Sequence, residues 1–314
     1  MMKLEEVATG VYACLQQGEG TTLGWSNSGF IDHGGGLVVD TFWDKRLTAR
    51  LLELYADVNP RSPRTLINTH HNVDHTGGNG LLAGAKIIAH RDCPPAIERE
   101  TAAAEMFKAL VAADSSKLSP AQADLANELR PFDLDAVEPR LPDTLVDDRM
   151  LLDLDGLPVE IEHLGPAHTD NDLIVHLPEQ RVVFTGDLLF WRCAPIGWSG
   201  TTAAWVEALD TIEALDPEVV VPGHGPVCGL EGVRGLREYF NYIVSEARGF
   251  YEQGLSPLEA SKRIDLGPFA DWEARERLVF NVHRAYREFR GESEQDVDFA
   301  DMIEQSWQLK RHLA

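Results

Sequence analysis

The chain is short of positive charge. Its 314 residues include 28 Lys and Arg against 51 Asp and Glu, a formal net charge of −23 at pH 7. That balance argues against nucleic acid or an anionic membrane as partner, since such binders need a basic face. A generally acidic, solvated surface accounts for it. Cysteine is scarce. Cys14, Cys93, Cys193 and Cys228 show no C-x-x-C spacing and no dense framework, so they read as free thiols in a reducing compartment. No run approaches ~18 apolar residues. The opening Met1-Met2-Lys3-Leu4-Glu5-Glu6 lacks the apolar core of a signal peptide. The expectation is a cytoplasmic protein with no membrane span. Repeats and low-complexity tracts are also missing. What remains is ordinary for a globular chain, 44% hydrophobic and 25% charged, with length for one large domain or two modest ones.

Apolar runs between residues 4 and 42 read as short strands, Val7 to Leu15 among them, with a hairpin at Gly34-Gly35-Gly36. Asp44 caps a helix carrying Leu47, Leu51, Leu54, Tyr55 and Val58 at helical spacing, ended by Asn59-Pro60. Residues 92–140 turn alanine-rich and helical, and Ser119-Pro120-Ala121-Gln122 has the form of a capping box. This stretch reads as an insertion that either covers a site or packs as outer layer. Strands resume at Leu145-Val146, Met150 to Leu154, Val159 to Leu164, Leu173 to Leu177 and Arg181 to Thr185, then at Val219 to Val221. Helices are expected at 203–215, Gly232 to Tyr251, after the capping box at Ser256, over Trp272 to Phe289, and from Phe299 to Leu313. The acidic Gly291 to Asp298 reads as a connector. The stripe Phe299, Met302, Ile303 and Trp307 should dock on its own core or on a partner subunit.

One stretch carries unusual chemistry: Thr69-His70-His71-Asn72-Val73-Asp74-His75-Thr76-Gly77-Gly78-Asn79. Three histidines and a carboxylate fall within six residues, and imidazole and carboxylate are the principal N and O ligands of zinc-like ions. The pattern recurs. Four buried strands each end near a candidate ligand: Leu66-Ile67 before His70, Ile161 to Leu164 before His168, Val182 to Thr185 before Asp187, and Val219 to Val221 before His224. If these strands share a sheet, their ends converge on one edge, where sites are normally built.

With these residues in hand, the chain resembles the metallo-β-lactamase fold superfamily of metal-dependent hydrolases over about residues 5–250. That family's signature is H-x-H-x-D-H after a strand, then a lone histidine, a lone aspartate and a final histidine. His70, Asp74 and His75 match the first motif, His168 in G-P-A-H-T the second, Asp187 in T-G-D the third and His224 in P-G-H-G the fourth. Asp40 in V-V-D-T matches a further position near the sheet edge. The resemblance implies an α/β, αββα four-layer sandwich. The catalytic domain would be 1–250, with the helical insertion at about 92–140, and 251–314 would be a helical C-terminal extension. It also implies two adjacent metal sites: His70, residue 72 and His168 for one, Asp74, His75 and His224 for the other, with Asp187 bridging.

Asn72 departs from the motif, which has histidine there. An amide oxygen is a harder and weaker ligand for zinc than imidazole. Three outcomes stay open: Asn72 coordinates through oxygen, the first site is empty, or the metal is not zinc but iron or manganese. His71 reads as a bystander, and it and His33, His90, His163, His176, His283 and His312 read as core histidines or supports behind a site. Cys193 and Cys228, though near the site loops, read likewise.

The expected reaction is hydrolysis of a small ester, lactone, thioester or amide. A bound metal lowers the pKa of its water from about 15.7 towards ~7, which makes hydroxide available, and Asp74 would orient it and carry the proton. Between Asp187 and the next helix, Phe190, Trp191 and Trp198 are candidate pocket walls and Arg192 a candidate anchor for an acidic substrate. The competing readings are an iron-dependent oxidoreductase on the same fold and a non-enzymatic member with a degenerate site.

Overall fold

A computed structural model describes residues 2–16, 24–292 and 298–314. Twelve strands and nine α-helices are described. The first sheet takes β1 (Met2–Ala8), β2 (Val11–Gln16), β3 (Asn27–Ile31), β4 (Leu37–Val39), β5 (Thr65–Ile67), β6 (Lys86–His90) and β7 (Thr144–Val146), in that spatial order. Pairing is antiparallel from β1 to β4 and parallel from β4 to β7. The second sheet takes β8 (Arg149–Leu154), β9 (Leu157–His163), β10 (Leu173–Leu177), β11 (Val182–Phe190) and β12 (Val219–His224), antiparallel except for the β11–β12 pair.

Strand alternation builds the layers. Leu37, Val39, Ile67 and Ile88 face inward and meet Val159, Ile161, Val175, Val182 and Phe184 of the second sheet. Val38, Leu66 and Ile87 point the other way, onto Leu51 and Tyr55 of α1 (Lys45–Val58). Asp44 caps α1 as expected, its carboxylate accepting the Leu47 N–H at 2.7 Å. Behind the second sheet, Ile174, Val183 and Val220 pack against α5 (Thr202–Ala214) and α6 (Leu230–Glu252) through Trp205, Leu209, Leu236 and Phe240. The result is the αββα sandwich.

α2 (Val73–Thr76) is a single turn inside the histidine stretch. The insertion forms α3 (Cys93–Ala112) and α4 (Pro120–Leu129), the latter opened by the capping box at Ser119. A second capping box at Ser256 opens α7 (Pro257–Ser261). α8 (Leu278–Arg290) and α9 (Phe299–Leu313) complete the chain. α9 lies on its own chain: Met302 and Leu309 are buried, and Lys310 bridges to Asp124 and Glu128 of α4 at 2.7 and 2.8 Å. Among the described residues no helix is long and apolar enough to cross a membrane.

Several boundaries differ from expectation. Val7 to Leu15 is not one strand, because Gly10 turns the chain at φ 71° between β1 and β2. β11 does not stop at Thr185. It runs on to Phe190 through a break in register at Gly186. Asp187 therefore sits inside β11 and His224 is the last residue of β12, rather than on loops. The helix expected from Trp272 starts at Leu278 instead. Ala274 adopts a left-handed φ of 52°, and a 3₁₀ turn, Arg275–Arg277, follows it. Residues 293–297 of the expected acidic connector lie outside the described residues.

Candidate metal centre

The ends of β5, β9, β11 and β12 deliver the histidine and aspartate side chains to one edge of the sandwich, and each ring is aimed by a partner at its outer nitrogen. His75 Nδ1 lies 2.9 Å from Asp40 Oδ2, and His168 Nδ1 2.7 Å from the Ile196 carbonyl. His224 Nδ1 lies 3.2 Å from the Trp25 carbonyl. Thr69 Oγ1 donates its one proton to Asp40 at 2.6 Å, so it accepts from His70 Nδ1 at 3.1 Å. These contacts suit a proton on Nδ1 in each ring and turn Nε2 inward, the orientation in which a metal ion can take the inner proton's place.

Those inner nitrogens surround Asp187. Its Oδ2 is 3.3 Å from His168 Nε2, 3.3 Å from His224 Nε2 and 3.9 Å from His70 Nε2, while its Oδ1 is 3.1 Å from His75 Nε2. Asp74 Oδ2 lies 3.4 Å from His224 Nε2 and 3.8 Å from His75 Nε2. Two sets of donor atoms fall within 4.8 Å of one another: His70, His75 and Asp187, and Asp74, His75 and His224. All these residues are buried.

The donors fit a cation. His70 Nε2, His75 Nε2 and Asp187 Oδ1 are buried without any hydrogen-bond partner, an arrangement that is costly unless something positive occupies the space. Electrostatics agree. Burial drives the His70 ring well below its ordinary pKa, with His75 adding to the effect. Burial likewise pushes His168 down to about 4. At His75 burial is outweighed by the carboxylates of Asp187, Asp74 and Asp40, which hold it well above its usual value. Burial also opposes the charge on Asp187, yet His224, His75 and His168 keep it well below the usual carboxylate range.

Asn72 sits against this cluster, its Oδ1 2.8 Å from His168 Nε2. The Ile196 carbonyl can only accept, so His168 keeps its proton on Nδ1 and presents a lone pair at Nε2. Two lone pairs facing at this distance is how two ligands of one ion are arranged. The amide is held in that sense from behind: Asn72 Nδ2 donates to Glu100 Oε1 at 3.2 Å and lies 3.4 Å from His71 Nε2. His71 thus stays out of the cluster but touches Asn72, and it also bonds the Asn171 side chain. Glu100 escaped the sequence reading. It lies on α3, where an alanine-rich helix gives no sign of a site, and its Oε2 is buried and unpartnered. Burial pushes its carboxyl up to about 8, and the charge on Asp74 adds to this.

A cavity of about 170 Å³ opens from the cluster, lined by Asn72, Asp74, His168, Asp187 and His224 at one end. α3 and α4 cover it with Phe107, Leu125 and Leu129, and α9 with Phe299 and Ile303. Trp198 lines it. Trp191 instead packs beneath, edge-on to Trp272. Arg192 does not serve the cavity. It is exposed, at a left-handed φ of 59°, its guanidinium 5.7 Å from the Trp191 ring centre. Phe190 stacks flat on His224, and Cys193 and Cys228 are buried thiols pushed up to about 12 by desolvation.

Fold and cluster together define an αββα sandwich with a histidine–aspartate cluster at its edge that could hold a metal ion. The model of the metallo-beta-lactamase superfamily matches residues 21–224, and the chain belongs to that superfamily. It is 33% identical over 107 residues to the metallo-beta-lactamase type 2 of Bacteroides fragilis, covering 32% of this chain and 43% of that protein. It is 23% identical over 198 residues to the 2,4-dinitroanisole O-demethylase subunit alpha of Nocardioides sp., covering 60% of this chain and 49% of that one. The chain thus matches less than half the length of either relative. Among solved structures, the stereoselective inverting sec-alkylsulfatase Pisa1 from Pseudomonas sp. superposes with a TM-score of 0.66 at 17% identity, over 96% of this chain and 52% of that one.

Proposed function

We propose that the chain is a zinc-dependent hydrolase of a small ester, lactone, thioester or amide. One observation carries this reading: four histidines, each with its outer nitrogen engaged, turn their Nε2 atoms onto Asp187 and leave buried donors unpaired. His70, Asn72 and His168 would hold one ion and Asp74, His75 and His224 the other, with Asp187 shared. When bound, such ions supply Lewis-acid polarisation of the scissile group and water of lowered pKa.

The chain's own residues do the rest. Asp74, which lines the cavity, takes the proton released as water attacks and returns it to the leaving group. Asp40 holds His75 in register from behind. Glu100 keeps the Asn72 oxygen turned inward. Phe107, Trp198 and Phe299 keep bulk water out and give an apolar bed for the substrate. A reducing compartment such as the cytoplasm is part of this reading, supported by four buried, unpaired cysteines.

The test is elemental analysis of protein made without metal supplementation, beside a panel of esters, lactones, thioesters and amides. Bound zinc and turnover of one class, lost in Asp74→Ala, is the expected result. Stoichiometric iron without zinc, or full turnover in Asp74→Ala, overturns the reading.

A further inference from the structure

Among the described residues lining the cavity away from the cluster, one basic side chain besides histidine is present, and it lies beyond the residues 21–224 that the superfamily's model matches. Arg277 closes the 3₁₀ turn ahead of α8, lines the cavity and is 6% exposed. Its guanidinium carries five N–H donors. Nη1 reaches the Ala194 carbonyl at 3.3 Å. Among the described residues no carboxylate lies within ion-pairing distance of it. Of the acids on the cavity wall, Asp74 and Asp187 belong to the cluster, Glu100 holds Asn72, Glu128 is tied to Lys310 at 2.8 Å, and Glu276, next to Arg277 in the chain, makes no ion pair with it. A buried cation with no counter-charge is costly, and proteins keep one where a ligand completes it.

We infer that Arg277 anchors an anionic oxygen group of the substrate, and that the substrate is an apolar molecule with a carboxylate-like end away from the bond that is cleaved. The guanidinium fork matches two oxygens at once. Ile196, Trp198, Phe280 and Phe299 line the same cavity as apolar wall. Edge-on contact between Trp198 and Phe280, ring centres 5.9 Å apart, stiffens that wall. The anchor that the sequence pointed to at Arg192 is thus supplied by Arg277. This inference rests on the hydrolase reading for where the scissile bond lies, but the recognition itself needs only the cavity.

The test is calorimetric titration of the full chain, zinc content measured in parallel. The probes are a series of phenyl carboxylates from phenylacetate to 6-phenylhexanoate, each paired with its neutral amide. At least one carboxylate should bind tenfold or more tightly than its amide. Arg277→Met should remove that preference while leaving amide affinity unchanged, and Arg277→Lys should keep part of it. Arg277→Gln stands in if the methionine variant does not fold. An unchanged preference in Arg277→Met or Arg277→Gln, or no preference across the whole wild-type series, overturns the inference. If carboxylates bind through zinc alone, their preference survives the Arg277 variants and disappears with chelation, which also counts against Arg277. A zinc-free protein that still shows an Arg277-dependent preference would sink the hydrolase reading and leave the anchor standing.

Discussion

Replacing Asp40 by asparagine removes one charge and changes almost no volume, so it isolates what the carboxylate does for the metal centre. Asp40 sits at a left-handed φ of 60°, a conformation asparagine also tolerates, so the backbone is not at issue. Its Oδ1 accepts the Thr69 N–H at 2.7 Å. Its Oδ2 accepts the Thr69 hydroxyl at 2.6 Å and His75 Nδ1–H at 2.9 Å. All three partners are donors here, and an amide offers one acceptor oxygen. Whichever way the introduced amide turns, its NH₂ meets a donor. If the NH₂ faces Thr69 N–H, the oxygen still serves His75. If it faces His75, the ring is free to rotate or change tautomer. Loss of one bond to a charged group costs about 1.5–3 kcal/mol. Removing such an outer partner of a metal-binding histidine weakens metal about 10–100-fold, which is about 1.4–2.8 kcal/mol and agrees with the bond count. Zinc affinity measured by competition with a chromophoric chelator should fall by that factor in Asp40→Asn, with the metal-free melting point changed less. Affinity within twofold of wild type would refute the claim that Asp40 aims His75.

Two further substitutions probe the centre. Asn72→His restores the superfamily's ligand and should tighten the weaker of two zinc ions in a stoichiometric titration; an unchanged titration would mean that residue 72 does not limit metal binding. Gly223→Ala puts a methyl carbon 2.0 Å from Asp187 Oδ1 and 2.7 Å from the Gly186 carbonyl carbon, so Asp187 and the β11 backbone beside it must move. Zinc content should drop towards zero while circular dichroism stays native, and full zinc content would show that the bridging position of Asp187 is not needed.

Much of this centre is legible before the fold is known. The four ligand-bearing strands announce themselves as short apolar runs, three of them followed by glycine or proline. They do not share one sheet as the pattern suggested: β5 lies in the first sheet and β9, β11 and β12 in the second, and the ends meet because the two sheets are stacked. His70, Asp74, His75, His168, Asp187 and His224 come together because of that topology. Other features leave no mark in the residue pattern. Gly186 reads as the end of a strand, but β11 passes through it at φ 50°. A side chain there would collide with Thr69 at 2.4 Å, so glycine is needed for the strand to run beside the histidine stretch. Ala274 breaks the helical pattern at a left-handed angle that alanine does not advertise, which hides the turn placing Arg277 in the cavity. Glu100 looks like any helical glutamate until α3 folds over Asn72. Both lie in segments whose local pattern is helical, and their roles depend on what the helix meets.

The most direct test of the account is a crystal of zinc-saturated protein measured at the zinc absorption edge. The account predicts anomalous density enclosed by Asp74, His75, Asp187 and His224, with a second peak between His70, Asn72 and His168. Zinc-saturated crystals with no anomalous peak inside this cluster, or with zinc bound elsewhere on the chain, would contradict it.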